Sequence, residues 1–321
     1  MNRGRTRRAL LLGVGAAALA ASVAAVARSR ATALPPPDWM EHITPDTAGH
    51  RGGQGTPILL LHGISVTWRT WKPILPLLEP HHDVIAPTLL GHSGAAAIAE
   101  GIAPSLDTLV DGVLAELDTL GLDRVHVVGN SLGGWIALEL ARRHRARSVV
   151  VFSPAGAWRS AARIAAVAGG MRAGFRVMDS FGDALERLAW TPRGRRMLLA
   201  AQVEHPERFN PADLVADIRA VRHAPVLGPL SRAITTAPIQ PLTDPDCPVR
   251  IVWGGSDRVI PFRQHGVPML ERVPGAELVM LDGVGHVPMS DDPDSVARLI
   301  LEVTESVDRG AVPPVAHADR R

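Results

Sequence analysis

The sequence predicts an α/β protein in which a mostly parallel central sheet is flanked by helices and interrupted by a helical insertion. Three observations lead there. Short β-branched runs alternate with longer stretches of helical periodicity. Most of those runs are apolar throughout, as strands covered on both faces are. One long stretch in the second half of the chain holds no convincing strand. With 321 residues, of which 46% are hydrophobic, the chain can bury a substantial core.

Residues 1–33 read as a targeting segment and not as part of the fold. A basic start is followed by an Ala-rich apolar run over 9–27 and then by small residues with A-x-A spacing. Thr6-Arg7-Arg8-Ala9-Leu10-Leu11 resembles a bacterial twin-arginine export signal, with Thr6 and Leu10 where that pattern prefers Ser and Phe. The expectation is a secreted or periplasmic protein cleaved near Ala27 or Ala33. Two readings stand beside it: an uncleaved membrane anchor, since 9–27 is long enough to span a bilayer, and a cytoplasmic N-terminal extension.

Strands are expected at 57–61 (PILLL), 83–86 (DVIA), 125–128 (VHVV), 148–152 (SVVVF), 249–253 (VRIVW) and 277–281 (ELVML). Ser105 as a cap, apolar residues at helical spacing and Gly121 as a stop predict a crossover helix between the second and third. Residues 34–155 and 237–307 then form the core. Residues 156–236, with Trp158, Met171, Phe175, Met178, Phe181 and Trp190 on amphipathic pieces, form an inserted helical cap, and 308–321, proline-containing and aperiodic, form a disordered tail. Trp68 and Trp71, with Ile74, Leu75 and Leu78, read as the buried face of a helix after the first of these strands.

One serine stands out. Gly129-Asn130-Ser131-Leu132-Gly133 fits G-x-S-x-G between an expected strand and a helix pattern over 134–143. A sharp strand-to-helix turn would hold Ser131 in a strained conformation with its hydroxyl exposed, and the two glycines would remove the side chains that crowd such a turn. A serine hydroxyl needs a base, and the base needs a third group to fix its tautomer. Asp257 falls in the loop after one expected strand (IVWGGSDRVIP) and His286 in the loop after the next (ELVMLDGVGHVPMSDDP). Asp282, Asp291 and Asp292 are nearby competitors for the acid, although Asp292 before Pro293 also suits a helix N-cap.

With His62-Gly63, G-x-S-x-G, the Asp257 loop and Gly283-x-x-His286 all in order, the region from about 56 to 307 resembles the α/β-hydrolase superfamily. The resemblance implies an α/β-hydrolase fold with a catalytic triad of Ser131, Asp257 and His286. It also implies an oxyanion hole made by the backbone N–H groups of Ile64 and Leu132. Some relatives carry the acid after an earlier strand, where this chain reads SPAGAW without a carboxylate, which favours Asp257. His62 reads as a structural loop residue. In PTLLGHSGA, Thr88 stands where relatives often have Asp, which leaves the hydrogen bonding of the loop around His92 open. The usual first two strands are hard to see in 38–55 (DWMEHITPDTAGHRGGQG), so that sheet edge is expected to be short.

Composition excludes several classes. The sequence pI of about 9.4 comes from the leader: six arginines and no acid precede Leu34, so without that segment the formal charge of +2 becomes −4. No basic stripe with interleaved aromatics remains, and nucleic acid is set aside as a partner. Cys247 is the only cysteine, so neither an intrachain disulfide nor a thiolate metal cluster is available, and no cofactor or metal is expected. The expected activity is hydrolysis of carboxylic esters of a small or medium apolar substrate through an acyl-enzyme, with the cap's Met, Phe and Trp residues lining the pocket. The alternatives are cleavage of a carbon–carbon bond beside a ketone, since G-N-S-x-G-G resembles the elbow of ring-cleavage-product hydrolases, acyl transfer or perhydrolysis, and a noncatalytic binding protein. Epoxide hydrolases of the superfamily use an Asp nucleophile and cap tyrosines, and this chain has Ser131 and no Tyr.

Overall fold

The computed structural model describes residues 48–236 and 238–311. The leader and all but the first residues of the expected tail therefore lie outside the described residues. Seven strands form one sheet in the order β1-β3-β2-β4-β5-β6-β7. They are β1 (Gly49–Gly52), β2 (Thr56–Leu61), β3 (His82–Pro87), β4 (Val125–Asn130), β5 (Ala146–Phe152), β6 (Val249–Gly254) and β7 (Glu277–Leu281). Only β1 runs antiparallel to its neighbour, β3; every other pairing is parallel.

Successive side chains of a strand point to opposite faces, so a continuous apolar run supplies two cores at once. Leu59, Leu61, Val127, Val149, Val151 and Trp253 join one buried cluster. Ile58, Leu60, Val84, Val128, Val150 and Phe152 join the other. The edge strand β7 departs from this pattern. Val279 and Leu281 pack inward, while Leu278 and Met280 remain 37% and 41% exposed. At the opposite edge, β1 is the short strand that 38–55 concealed.

The helices are α1 (Leu75–Leu78), α2 (Leu106–Thr119), α3 (Leu132–Arg142), α4 (Ala161–Ala189), α5 (Pro192–Leu199), α6 (Pro211–Arg222), α7 (Leu227–Ala233), α8 (Phe262–Arg272), α9 (Pro288–Asp291) and α10 (Pro293–Asp308). Ser105 caps α2 by accepting from Thr108 N–H at 3.1 Å, and Asp292 caps α10 by accepting from Ser295 N–H at 3.0 Å. The Trp68–Trp71 segment is a 3-10 turn, and Trp71, Ile74 and Leu78 are fully buried. Helices α4 to α7 fill the interval between β5 and β6, and α4 is broken at Phe181, where φ is −128° and ψ 17°.

One sequence expectation needs adjustment. The last helix extends through Asp308, where the tail was expected to begin, because Asp308 accepts hydrogen bonds from His126 at 3.0 Å and Arg147 at 2.9 Å. Among the described residues no helix is long and apolar enough to cross a membrane.

Candidate active site

The turn from β4 to α3 is as tight as its glycines suggest. Ser131 has φ 55° and ψ −113°, a region that L-residues rarely occupy. It is held there by three backbone bonds: its N–H donates to Phe152 C=O at 3.0 Å, and its own C=O accepts from Ala155 at 2.9 Å and Trp135 at 3.1 Å. A Cβ at Gly129 would run into the Gly133 carbonyl, and one at Gly133 into the Leu61 carbonyl, so neither position admits a larger residue without moving the strand.

The loop after β2 lies directly against this turn: a Cβ built on Gly63 would sit 3.6 Å from Ser131 Cβ. Two histidines brace the loop. His62 Nδ1–H donates to Gly63 C=O at 2.7 Å, and its Nε2 accepts from Leu89 N–H at 2.8 Å. His92 Nε2–H donates to Ile64 C=O at 2.9 Å. The rings meet edge to face at 5.0 Å. Burial, reinforced by His92, pushes the His62 pKa down to about 3, which keeps the ring neutral as its two bonds require. The hydrogen bonding left open by Thr88 is thus supplied by His62, and the buried Thr88 hydroxyl has no partner. Among the described residues, neither Ile64 N–H nor Leu132 N–H is engaged by a backbone acceptor outside regular elements. Leu132 is the first residue of α3, where the helix dipole is positive.

The loop after β7 carries His286, whose Nδ1–H donates to Asp257 Oδ2 at 2.8 Å. Asp257 Oδ1 accepts from Val259 and Ile260 N–H, both at 2.9 Å. Burial pushes the Asp257 carboxyl up, but the facing His286 and the Ile260 N–H outweigh it and hold the group below the usual carboxylate range. The side chains are 8% and 0% exposed, so this is a desolvated, oriented imidazole. Asn130 Nδ2 bridges the two regions, donating to His286 C=O at 2.9 Å and Phe152 C=O at 3.1 Å. No hydrogen bond links Ser131 Oγ to His286 among the described contacts; such contacts are often long before substrate arrives.

The competing acids have other tasks. Asp291, 7% exposed, accepts from Gly285 N–H at 2.8 Å, from His205 N–H at 2.8 Å and from Glu204 N–H at 3.0 Å. Val287 N–H adds a bond to Gln202 C=O at 3.0 Å. Together these bonds tie the segment after α5 to the His286 loop, and a Cβ at Gly285 would come within 2.8 Å of Val203 Cα. Sequence reasoning missed Asn130 and this role of Asp291, because their partners are backbone groups that no residue pattern spells out.

A narrow chamber of about 50 Å³ adjoins both loops, touching Ser65 and Val66 on one side and Val287 on the other. Its apolar wall is mainly aliphatic: Leu185, Leu198, Leu199, Leu214 and Ile218, with Met178 and Phe209. Of the six cap residues named from the sequence, Met178 touches this chamber. Trp158 instead packs edge to face on Trp135 at 5.7 Å, and Phe181 and Trp190 pack against the second core. Cys247 is buried and its thiol is pushed up to about 12 by burial, so it is inert as a nucleophile. No group of three or more metal-ligating side chains occurs among the described residues.

An open, mainly parallel sheet with a strained serine turn at the carboxyl ends of its strands and a histidine–aspartate pair beside it defines an α/β hydrolase. The chain belongs to the alpha/beta hydrolase family, whose sequence profile matches residues 58–299. It is 34% identical over 201 residues to epoxide hydrolase EphH of Mycobacterium tuberculosis, covering 61% of this chain and 94% of that one. It is 28% identical over 265 residues to a pimeloyl-[acyl-carrier protein] methyl ester esterase of Aeromonas hydrophila, covering 78% and 96%. Among solved structures it resembles the 2-hydroxy-6-oxo-6-phenylhexa-2,4-dienoate hydrolase of Rhodococcus sp. strain RHA1, with a TM-score of 0.62, 22% identity and coverage of 80% of this chain and 94% of that one. The three names span three reactions on one fold, so the substrate has to be argued from the site.

Proposed function

We propose that this hydrolase cleaves carboxylic esters through a covalent acyl-enzyme on Ser131. The observation that carries the reading is the strained Ser131 turn set against the Gly63 loop, with the His286–Asp257 pair tied to it through Asn130. His286 removes the Ser131 proton as Oγ attacks the ester carbonyl, and Asp257 stabilises the imidazolium that forms. The carbonyl oxygen, now an anion, lies between the Ile64 and Leu132 N–H groups at the positive end of α3. Losing one such donor typically costs about 2.7 to 4 kcal/mol of transition-state stabilisation. His286 then protonates the departing alcohol, and water activated by the same imidazole releases the acid.

An epoxide substrate, suggested by one relative's name, fits less well. The turn presents a hydroxyl where that reaction in this superfamily uses a carboxylate, and the chain has no tyrosine. The test is hydrolysis of p-nitrophenyl esters of increasing acyl length by the parent and by Ser131→Ala. The reading predicts turnover by the parent and its loss in the variant. Two folded proteins that are both inactive would discard the ester reading and bring carbon–carbon substrates or a binding role forward. We also propose, from the sequence of residues 1–33, that the protein is exported; mass spectrometry finding an intact Met1 in secreted material would contradict cleavage.

A further inference from the structure

Asp257 and His286 come from different loops, yet both loops hold one strip of the inserted segment. That strip, residues 200–205, runs from the end of α5 to the 3-10 turn Pro206–Arg208. On the side of the base, Asp291 Oδ1 accepts from Glu204 N–H at 3.0 Å and His205 N–H at 2.8 Å, while its Oδ2 accepts from Gly285 N–H at 2.8 Å. One carboxylate thus joins the strip to the residue before His286. Val287 N–H, on the other flank of His286, donates to Gln202 C=O at 3.0 Å. The base is therefore fastened to the strip from both neighbours.

On the side of the acid, Arg258 follows Asp257 and donates from Nη1 to Ala200 C=O at 2.9 Å and from Nη2 to Glu204 Oε2 at 2.7 Å. The two loops also touch each other. Ser256 N–H donates to Val284 C=O at 3.0 Å, a Cβ at Gly254 would run into the Gly285 carbonyl, and one at Gly285 would come within 2.6 Å of Gln202 O. Acid loop, base loop and strip are packed as one body.

The fastenings are unequal. Asp291 is 7% exposed and its bonds are charge-assisted, whereas the Arg258 and Glu204 side chains are 53% and 29% exposed, where an ion pair contributes little. Removing the Asp291 carboxylate would also leave three backbone donors without their acceptor. Proton transfer from Ser131 needs the imidazole within hydrogen-bond reach, and a misplacement of about 1 Å can cost on the order of a hundredfold in rate.

We propose that residues 200–205 are a clamp that keeps His286 and Asp257 in register, with Asp291 as its positioning residue, so that the inserted segment serves the proton transfer itself. This rests on the serine-hydrolase reading above, and the test separates the two. Asp291→Ala, Asp291→Asn and Arg258→Met are compared with His126→Leu, which loosens Ser148 and Asp308 far from the site and controls for lost stability alone. Ester kinetics give kcat and KM. The imidazole nitrogen shifts of His286, assigned with His286→Gln, report its tautomer and need no turnover.

Asp291→Ala should lower kcat about a hundredfold with KM nearly unchanged, and replace the single Nδ1–H tautomer of His286 by a mixture. Asp291→Asn, with one acceptor oxygen in place of two, should lower kcat about tenfold, and Arg258→Met only about twofold. His126→Leu should keep both kcat and the tautomer. A parent-like kcat and tautomer in Asp291→Ala, or an equal loss of kcat in His126→Leu, overturns the clamp while leaving ester hydrolysis standing. If Asp291→Ala does not fold, Asp291→Asn decides by the same two readouts. If the parent turns over no ester, the ester reading fails and the tautomer alone judges the clamp: the same tautomer in the parent and the Asp291 variants overturns it.

Discussion

Two pairs of buried histidines sit at opposite ends of the same sheet, and they are put to different uses. His62 and His92, 5.0 Å apart at the carboxyl end, bond to backbone groups of neighbouring loops: Gly63 C=O, Leu89 N–H and Ile64 C=O. His82 and His126, 5.6 Å apart near the amino end, reach far along the chain instead. His82 donates from Nδ1 to Thr56 C=O at 3.0 Å and accepts at Nε2 from Thr304 Oγ1 at 2.8 Å. His126 accepts at Nδ1 from Ser148 Oγ at 2.7 Å and donates from Nε2 to Asp308 at 3.0 Å. Burial lowers the pKa of all four. The first pair fixes the shape of the loop that faces Ser131; the second fastens the last helix to the sheet. What a buried neutral imidazole does is set by whether its partners are local or remote.

Substitutions should separate the two uses. The largest effect is expected from His62→Ala, which leaves Leu89 N–H without its acceptor and frees the Gly63 loop. Stability should fall by about 3 kcal/mol and kcat/KM by about a hundredfold, read by urea unfolding and ester kinetics. His126→Leu removes the partner of Ser148 and Asp308 and should cost about 2 kcal/mol of stability, with kcat unchanged well below the unfolding midpoint. A loss of kcat there would break the division of roles. His92→Phe keeps the ring but not the bond to Ile64 C=O, and should lower kcat/KM by about tenfold with little change in unfolding.

Acid sharpens the same contrast. The folded-state pKa of His62, about 3, lies below the unfolded value of about 6.5, so the unfolded chain takes up a proton that the folded chain refuses. The stability that His62 supports is therefore present above pH 6.5 and is lost as pH falls toward 3. Between pH 8 and pH 5 this amounts to about 2 kcal/mol. Asp217, whose pKa is raised to about 8, contributes with the opposite sign in the same window. The measurable quantity is thus the difference in acid loss between the parent and His62→Ala, because Asp217 is common to both. Equal slopes in the two proteins would show that His62 is not held neutral by the fold.

Much of this arrangement could be read from residues alone. All six expected strands formed within two residues of their expected bounds, because apolar runs and their turns are local signals. The strand β1, reading GHRG, was concealed because its pairing with β3 depends on backbone and not on apolar side chains. Asp257 is the carboxylate that bonds to His286, and Asp291 shows why its neighbours compete: its carboxylate is as buried and equally committed, but to backbone N–H groups of Glu204, His205 and Gly285. Asp217 gave no signal, since an acid on an amphipathic helix reads as solvent-facing until packing shows what covers it. The cap aromatics show the converse: large apolar residues announce burial, as Trp158 on Trp135 shows, but not which cavity they face.

The most direct test of the central claim is to treat the folded protein with a fluorophosphonate and locate the adduct by mass spectrometry, with His286→Ala alongside. The account predicts a single adduct on Ser131 in the parent and little or none in the variant, since the hydroxyl needs its base. A parent that stays unlabelled, or one labelled elsewhere than Ser131, would contradict it.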